Sequence, residues 1–138
     1  MSNLYIIEKR YNIKLPLLYK QEYMCNFNNL NKNLVLSKNE KFFLKFLDVE
    51  NILDILNDNF DLFGYDIIPF AKTEYDDYIC FFYEDTRYNP KIIFFAYDLS
   101  IINKEEAIFY LYNSFNEFVL NQKWFHRLSF ESLIHNKF

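Results

Sequence analysis

The amino-acid sequence predicts a single α+β domain that covers residues 1–138, with a central, mainly antiparallel sheet flanked by N- and C-terminal helices. Three observations lead to this fold class. Helical periodicity dominates the first residues, strand-like runs crowd the region between Leu34 and Tyr112, and helical patterns return after it. Such segregation favours α+β over an alternating α/β fold. Hydrophobic residues make up 51% and aromatic residues 22% of the chain, which is ample material for one core.

The helices are predicted from apolar spacing and from capping residues. Pro16 suits the first turn of the second helix. Asp48 is a good N-cap for the third helix, and Ser114 with Glu117 forms a capping box for the fourth. A further amphipathic stretch begins near Trp124. Helices are predicted at Leu4–Tyr11, Pro16–Asn26, Val49–Asn57 and Phe115–Asn121.

Six runs rich in β-branched and aromatic residues predict strands: LVLS, KFFLKFL, DIIPFAKT, DYICFFYED, KIIFFAYD and AIFYLYN. Pro69 indicates that its strand is an edge strand or carries a bulge. The middle strands are apolar on both faces, so helices can cover one face while the other meets more protein or stays partly exposed as a tyrosine-rich patch. The predicted core positions are Ile7, Leu53, Leu56, Ile79, Phe81, Phe94, Phe115 and Phe118.

Gly64 is the only glycine in the chain. Turns that need a positive φ are therefore expected to fall on Asn and Asp, which tolerate that conformation better than other residues.

The charge and the N-terminal sequence narrow the class of protein. The net charge is -4 and the sequence has no basic stripe, which disfavours nucleic-acid binding and suits a basic partner. We expect neither a signal peptide nor a membrane span, and hence a cytoplasmic protein. Cys25 and Cys80 are isolated, so two free thiols are expected rather than a disulfide.

Acidic residues lie at both ends of the predicted strand in PFAKTEYDDYICFFYED. Glu74, Asp76 and Asp77 precede this strand, while Glu84 and Asp85 follow it. A strand of this length spans about 20 Å, whereas paired glycosidase carboxylates lie within about 10 Å of each other. The pattern therefore argues against one carboxylate active site. Two readings stay open, namely turns stabilised by local hydrogen bonds or turns that present negative charge to a partner.

Other catalytic arrangements are not found in the sequence. His126 and His135 are too far apart for a helical metal-binding pair, and no glycine-rich phosphate loop or GxSxG motif is present. Cys80 lies in mid-strand, where it is expected to be buried and inert. The sequence thus predicts a protein that is not an enzyme and uses no metal or other cofactor.

Three motifs, in order, resemble the SUKH superfamily, also called the SMI/KNR family. They are IEKRYNIKLPLLYKQEY, IIPFAKTEYDDYICFFYED and NSFNEFVL. Two family glycine turns are replaced here by NFNNLNKN and TEYDD. The matching residues are Ile7, Tyr11, Leu15, Pro16, Tyr19, Ile68, Pro69, Phe70, Ala71, Asp77, Tyr78, Ile79, Cys80, Phe81, Ser114, Phe115, Glu117, Phe118 and Leu120.

The resemblance implies an α+β domain with a central mixed sheet and a role in binding other proteins. Many bacterial members are immunity proteins that bind and neutralise a cognate toxin, often a nuclease, and fungal members are intracellular regulators. The sequence does not separate a toxin-binding immunity protein from a regulatory interaction module with another partner. In either case we predict that the partner contacts one of two acidic–aromatic patches, composed of Glu74, Tyr75, Asp76, Asp77, Tyr78, Glu84, Asp85 and Tyr88.

Overall fold

Six antiparallel strands follow one another in sequence order across one sheet. The computed structural model describes residues 3–26, 32–35 and 41–121, so the predicted stretch from Trp124 lies outside it. The helices are α1 (Leu4–Tyr11), α2 (Leu17–Asn26), α3 (Val49–Asp58), α4 (Phe60–Phe63), α5 (Tyr97–Ser100) and α6 (115–121), and a 3₁₀ turn spans Lys104–Ala107. The strands are β1 (Lys32–Val35), β2 (Lys41–Phe46), β3 (Ile67–Thr73), β4 (Tyr78–Phe82), β5 (Lys91–Phe95) and β6 (Ile108–Tyr112).

The predicted fold class and the four predicted helices are confirmed, with helix ends that differ by no more than one residue. The predicted N-cap at Asp48 forms, and so does the Ser114 half of the predicted capping box. The Asp48 carboxylate accepts a hydrogen bond from the backbone N–H of Asn51 at 2.8 Å, and Ser114 Oγ accepts from the N–H of Glu117 at 3.1 Å. Both bonds satisfy donors that a helix leaves free in its first turn.

An aromatic cluster fills the space between the sheet and the helices on one face. Phe70 of β3 stacks on Phe81 of β4, with ring centroids 4.4 Å apart. Tyr19 of α2 meets the Phe81 ring edge-on at 5.0 Å, and Phe115 of α6 lies 5.5 Å from Tyr19. Each of these four rings is almost completely buried, so this cluster is the centre of the core.

The described residues cover the opposite face only in part. Phe63 of α4 packs on Phe95 and Tyr78, with centroids 4.9 and 5.7 Å apart. Farther along the same face, Phe82 is half-buried and contacts Tyr110, which is 55% exposed. Two alternatives were expected for this face, namely cover by more protein or an exposed aromatic patch. Both occur, because α4 covers one part of the face and aromatic side chains are exposed on another part.

A β-bulge interrupts the ladder between β3 and β4. Pro69 pairs with Cys80 and Ala71 pairs with Ile79, which leaves Phe70 as the extra residue. Since β3 lies inside the sheet, the bulge predicted from Pro69 is confirmed and the alternative of an edge strand is wrong.

Two predicted core positions are less buried than expected. Ile7, Leu56, Ile79, Phe81, Phe115 and Phe118 are buried. Leu53 and Phe94 are only partly buried. Phe94 packs against Phe109 of the outermost strand, where the covering helices give less shelter than at the sheet centre. Leu53 flanks the buried face of α3 formed by Val49, Ile52 and Leu56.

Replacing Phe81 with Ala should lower the free energy of unfolding by about 3–5 kcal/mol, because the truncation leaves a cavity inside the aromatic cluster. Phe109→Ala is the matched control, since Phe109 is 48% exposed and its loss should be below about 1.5 kcal/mol. Chemical denaturation monitored by far-UV circular dichroism measures the free energy of unfolding of both variants. Equal losses of stability would mean that Phe81 does not lie in the core.

Candidate partner-binding surface

The turn between β3 and β4, residues 74–77, is held by a compact set of hydrogen bonds around Thr73. Thr73 Oγ1 accepts from the backbone N–H groups of Tyr75 and Asp77, both at 3.2 Å. The backbone groups of Thr73 bond the N–H of Asp76 at 3.1 Å and the carbonyl of Asp77 at 2.8 Å. Asp76 has a φ of 64° and Asn12, after α1, a φ of 52°, which confirms the expectation that Asn and Asp take such positions.

Asp77 points back into the protein. Its Oδ1 accepts a hydrogen bond from the backbone N–H of Tyr97, the first residue of α5, at 3.0 Å. Partial burial raises the pKa of the Asp77 carboxyl, the bond from Tyr97 opposes this rise, and the negative charges of Asp98 and Asp76 add to it. Asp77 therefore joins the acidic turn to α5 in addition to carrying charge.

Tyr78 also has a structural contact, because its half-buried ring packs edge-on against Phe63 and lies 6.3 Å from the ring of Tyr97. Burial, and next the charge of Asp76, raise the pKa of the Tyr78 hydroxyl. Glu74, Tyr75 and Asp76 are exposed instead. Asp76 lies 3.4 Å from Lys72 Nζ, and Tyr75 is 69% exposed. The acidic turn thus presents Glu74, Tyr75 and Asp76 outward.

At the other end of β4, Glu84 and Asp85 are matched by nearby donors. The Tyr110 hydroxyl donates to Glu84 Oε1 at 2.9 Å, and Lys91 Nζ lies 3.8 Å from both Glu84 and Asp85. The same ammonium group lies 5.4 Å from the centre of the Tyr110 ring. One ammonium group therefore serves both carboxylates, and a neutral hydroxyl binds one of them.

Tyr88 does not join Glu84 and Asp85. It is 65% exposed and lines a groove bounded by Leu17 and Phe115, on the side of α2 and α6. The second predicted patch is therefore divided between two surfaces.

Arg87 fixes the loop between β4 and β5. Its guanidinium donates to the carbonyls of Tyr11 at 2.7 Å, Asn12 at 3.2 Å and Tyr65 at 3.0 Å, and to Asp66 Oδ1 at 2.6 Å. Nothing in the sequence pattern singled out Arg87, because three of its partners are backbone carbonyls of residues distant in the chain. The same reasoning missed Tyr97 and Tyr110, whose partners Asp77 and Glu84 are likewise distant in the chain. It also missed Lys91, which lies close to Asp85 in the chain at the start of β5.

The described residues hold no group of His, Cys, Asp or Glu that could bind a metal ion. Cys80 is a buried free thiol, and burial raises its pKa well above the usual value, so it is a poor nucleophile. His126 and His135 lie outside the described residues. In the part of the chain that the structure describes, none of the helices is long and apolar enough to cross a membrane.

The sequence profile of the SMI1/KNR4 family (SUKH-1) matches residues 3–121, from α1 to the end of α6. The chain belongs to this family. No curated protein and no solved structure matches it. The SUKH-1 match confirms the resemblance carried by the three sequence motifs.

The aromatic residues of the three SUKH-1 motifs meet in the core. Tyr19 comes from the first motif, Phe70 and Phe81 from the second and Phe115 from the third, and each ring contacts the other three. The aromatic residues of the three motifs therefore form the centre of the core of this fold.

Arg87→Lys should lower the free energy of unfolding by about 1–2 kcal/mol, because an ammonium group cannot replace four hydrogen bonds made by one planar guanidinium. Arg10→Lys, at an exposed position of α1, should change it by less than about 0.5 kcal/mol. Denaturant titration of both variants gives the comparison. A loss for Arg87→Lys no larger than that for Arg10→Lys would show that these bonds do not hold the loop.

Asp77→Asn should stabilise the protein increasingly as the pH rises. Because the folded-state pKa of Asp77 is raised, its stability contribution is full below the ordinary value of 3.8 and is lost as the pH rises through the raised value. Asn cannot ionise but can still accept the bond from Tyr97. The free energy of unfolding of Asp77→Asn minus that of the original protein should therefore increase from about pH 3 to about pH 7. A difference that decreases over this range would contradict the assignment.

Proposed function

We propose that this protein is an immunity protein, which binds a cognate toxin in the cytoplasm and neutralises it by contact, without catalysis or a cofactor. The observation that carries the proposal is the SUKH-1 match over residues 3–121. Members of this family act as protein-binding modules, and many bacterial members neutralise toxins.

The positions of the carboxylates and of the thiol among the described residues support binding rather than catalysis. The two acidic ends of β4 are separated by the length of the strand and serve different neighbours, Tyr97 at one end and Lys91 at the other. The buried thiol of Cys80 lacks access to a substrate. An inhibitor needs neither a carboxylate pair nor an accessible thiol, since it acts by occupying a surface of its target.

The charge of the chain supports a basic target. A nuclease holds phosphate with a basic surface, and a partner with a net charge of -4 would be attracted to that surface before contact. Exposed tyrosines are suitable anchors, because they bury a large ring and can still form a hydrogen bond. Tyr75 is exposed between Glu74 and Asp76, and Tyr88 is exposed at the groove beside α2 and α6.

The predicted contact residues Glu74, Tyr75, Asp76, Asp77, Tyr78, Glu84, Asp85 and Tyr88 remain candidates for this contact. Asp77 and Tyr78 already serve the fold, so their replacement would mix effects on folding with effects on binding. Glu74, Tyr75 and Asp76 are the better positions to vary at the first patch, and Asp85 and Tyr88 at the second.

Cells that express the toxin domain encoded beside this gene should survive when this protein is co-expressed, and the two proteins should purify as one complex. The control is the same toxin domain with an empty vector. Survival by complex formation should require no turnover, so protection should scale with the molar ratio of the two proteins. Equal death with and without this protein, and no isolable complex, would remove the immunity function in favour of a regulatory interaction module.

A further inference from the structure

Three aliphatic side chains project from the loop that begins at α5. Leu99 is 41% exposed, Ile101 71% and Ile102 84%. Isolated exposed aliphatic residues are common, but a cluster of three within four residues is typical of an interaction site.

The backbone of this loop is ordered by its own hydrogen bonds, although its apolar side chains are exposed. The N–H groups of Ile102 and Asn103 donate to the Leu99 carbonyl at 3.2 and 3.0 Å, and Ala96 donates to Ala107 at 2.9 Å to close the loop. A partner would therefore bind a loop that is already ordered. The loop would lose less conformational entropy on binding than a flexible loop would.

The same loop is attached to the acidic turn. The bond from the Tyr97 N–H to Asp77 joins the first residue of α5 to the turn, and the Tyr97 hydroxyl donates to Asn59 at 3.1 Å. We call the exposed residues of this unit the α5 surface, which consists of Glu74, Tyr75, Asp76, Asp98, Leu99, Ile101 and Ile102.

Charge separates the α5 surface from the other end of the sheet. Glu74, Asp76, Asp77 and Asp98 lie in the turn and in α5, and among the described residues Lys72 is the one cation that forms an ion pair with any of them. At the Glu84 end, by contrast, Arg87 pairs with Asp66, and Lys91 lies beside both Glu84 and Asp85. In the described part of the chain, one cation therefore accompanies the four carboxylates of the turn and α5, whereas two cations accompany three carboxylates at the Glu84 end. The exposed aliphatic cluster lies beside the larger excess of negative charge.

The charge also indicates what kind of protein can bind the α5 surface. In a symmetric pair of copies, each α5 surface would face its equivalent and bring the carboxylates of both copies together, and such like-charge contacts are unfavourable. A partner with basic residues around an apolar depression complements both features.

Resting on the function proposed above, we propose that the α5 surface is the docking surface for the toxin, and that the toxin presents there a basic rim around an apolar pocket that takes Ile101 and Ile102. The aliphatic pair anchors the complex and sets its dissociation rate, while Asp76 and Asp98 attract the basic rim and speed association.

The surface can be tested without the toxin. The ¹⁵N-labelled protein is titrated with the peptide Leu-Arg-Leu-Arg-Leu-Arg and, as a control, with Leu-Glu-Leu-Glu-Leu-Glu. The arginine peptide should shift amide resonances in residues 74–78 and 96–103, and the glutamate peptide should not. Shifts that are equally large around Glu84 and Asp85, or no shifts at all, would overturn the assignment of the surface.

The complex with the toxin domain gives the second test, with matched controls. Ile101→Ser combined with Ile102→Ser should weaken binding by about tenfold or more, mainly through faster dissociation, whereas Leu17→Ser, at a 68% exposed position, should change it by less than about twofold. Asp76→Asn combined with Asp98→Asn should slow association and flatten its salt dependence, whereas Glu50→Gln, at an exposed position of α3, should not.

These outcomes separate the two proposals. A complex that forms, protects cells and is unaffected by the Ile101, Ile102, Asp76 and Asp98 replacements refutes the docking surface and leaves the immunity function intact. Failure of any complex to form, together with localised shifts from the arginine peptide, refutes the immunity function and supports a basic partner of another kind at this surface.

Discussion

The extra residue in β3 determines which side chains face the helices along the rest of that strand. Side chains in a strand alternate between the two faces, so one inserted residue reverses the faces of everything that follows it. With Phe70 as the inserted residue, Phe70 and Ala71 both lie toward the helices, Lys72 turns outward and Thr73 turns inward. Without the bulge, the ammonium of Lys72 would point toward the covered face, where an unpaired charge is strongly unfavourable.

The same bulge determines the structure of the acidic turn. Thr73 is 2% exposed, and its inward hydroxyl is the acceptor for the N–H groups of Tyr75 and Asp77. Because Thr73 is fixed, Asp76 can occupy its left-handed conformation and Asp77 can reach Tyr97. Pro69, which lacks an N–H to donate to the ladder, directly precedes the inserted residue, where the loss of one ladder bond is tolerated.

Sequence patterns predicted the elements that are long enough to show a period or that carry a recognisable cap. The stripe of α3 and the caps at Asp48 and Ser114 belong to this class. The four-residue helices α4 and α5 were not predicted, because one turn of helix shows no periodicity and depends on its tertiary contacts. Phe63 of α4 packs on β4 and β5, and the N–H of Tyr97 in α5 donates a hydrogen bond to Asp77. Both are contacts between residues distant in the chain.

The candidate site was predictable only in part for the same reason. Charge in the sequence located both acidic ends of β4, but the balance of that charge depends on residues brought in from elsewhere. Lys91 at the start of β5 lies beside Glu84 and Asp85, which follow β4, while Arg87 of the β4–β5 loop binds groups at the end of α1 and before β3.

The hydroxyl of Tyr19 is one group in the core that is not optimised for stability. Tyr19 Oη is buried with no hydrogen-bond partner in the described part of the chain, and burial raises its pKa. A Phe there would avoid the desolvation of an unpaired hydroxyl, which typically costs about 1–3 kcal/mol. The ring is nonetheless held by Phe70, Phe81 and Phe115, so the aromatic contacts outweigh the orphaned hydroxyl. The exposed aliphatic side chains and carboxylates of the α5 surface likewise do not maximise the stability of the free protein, and under the proposed function they favour a bound partner.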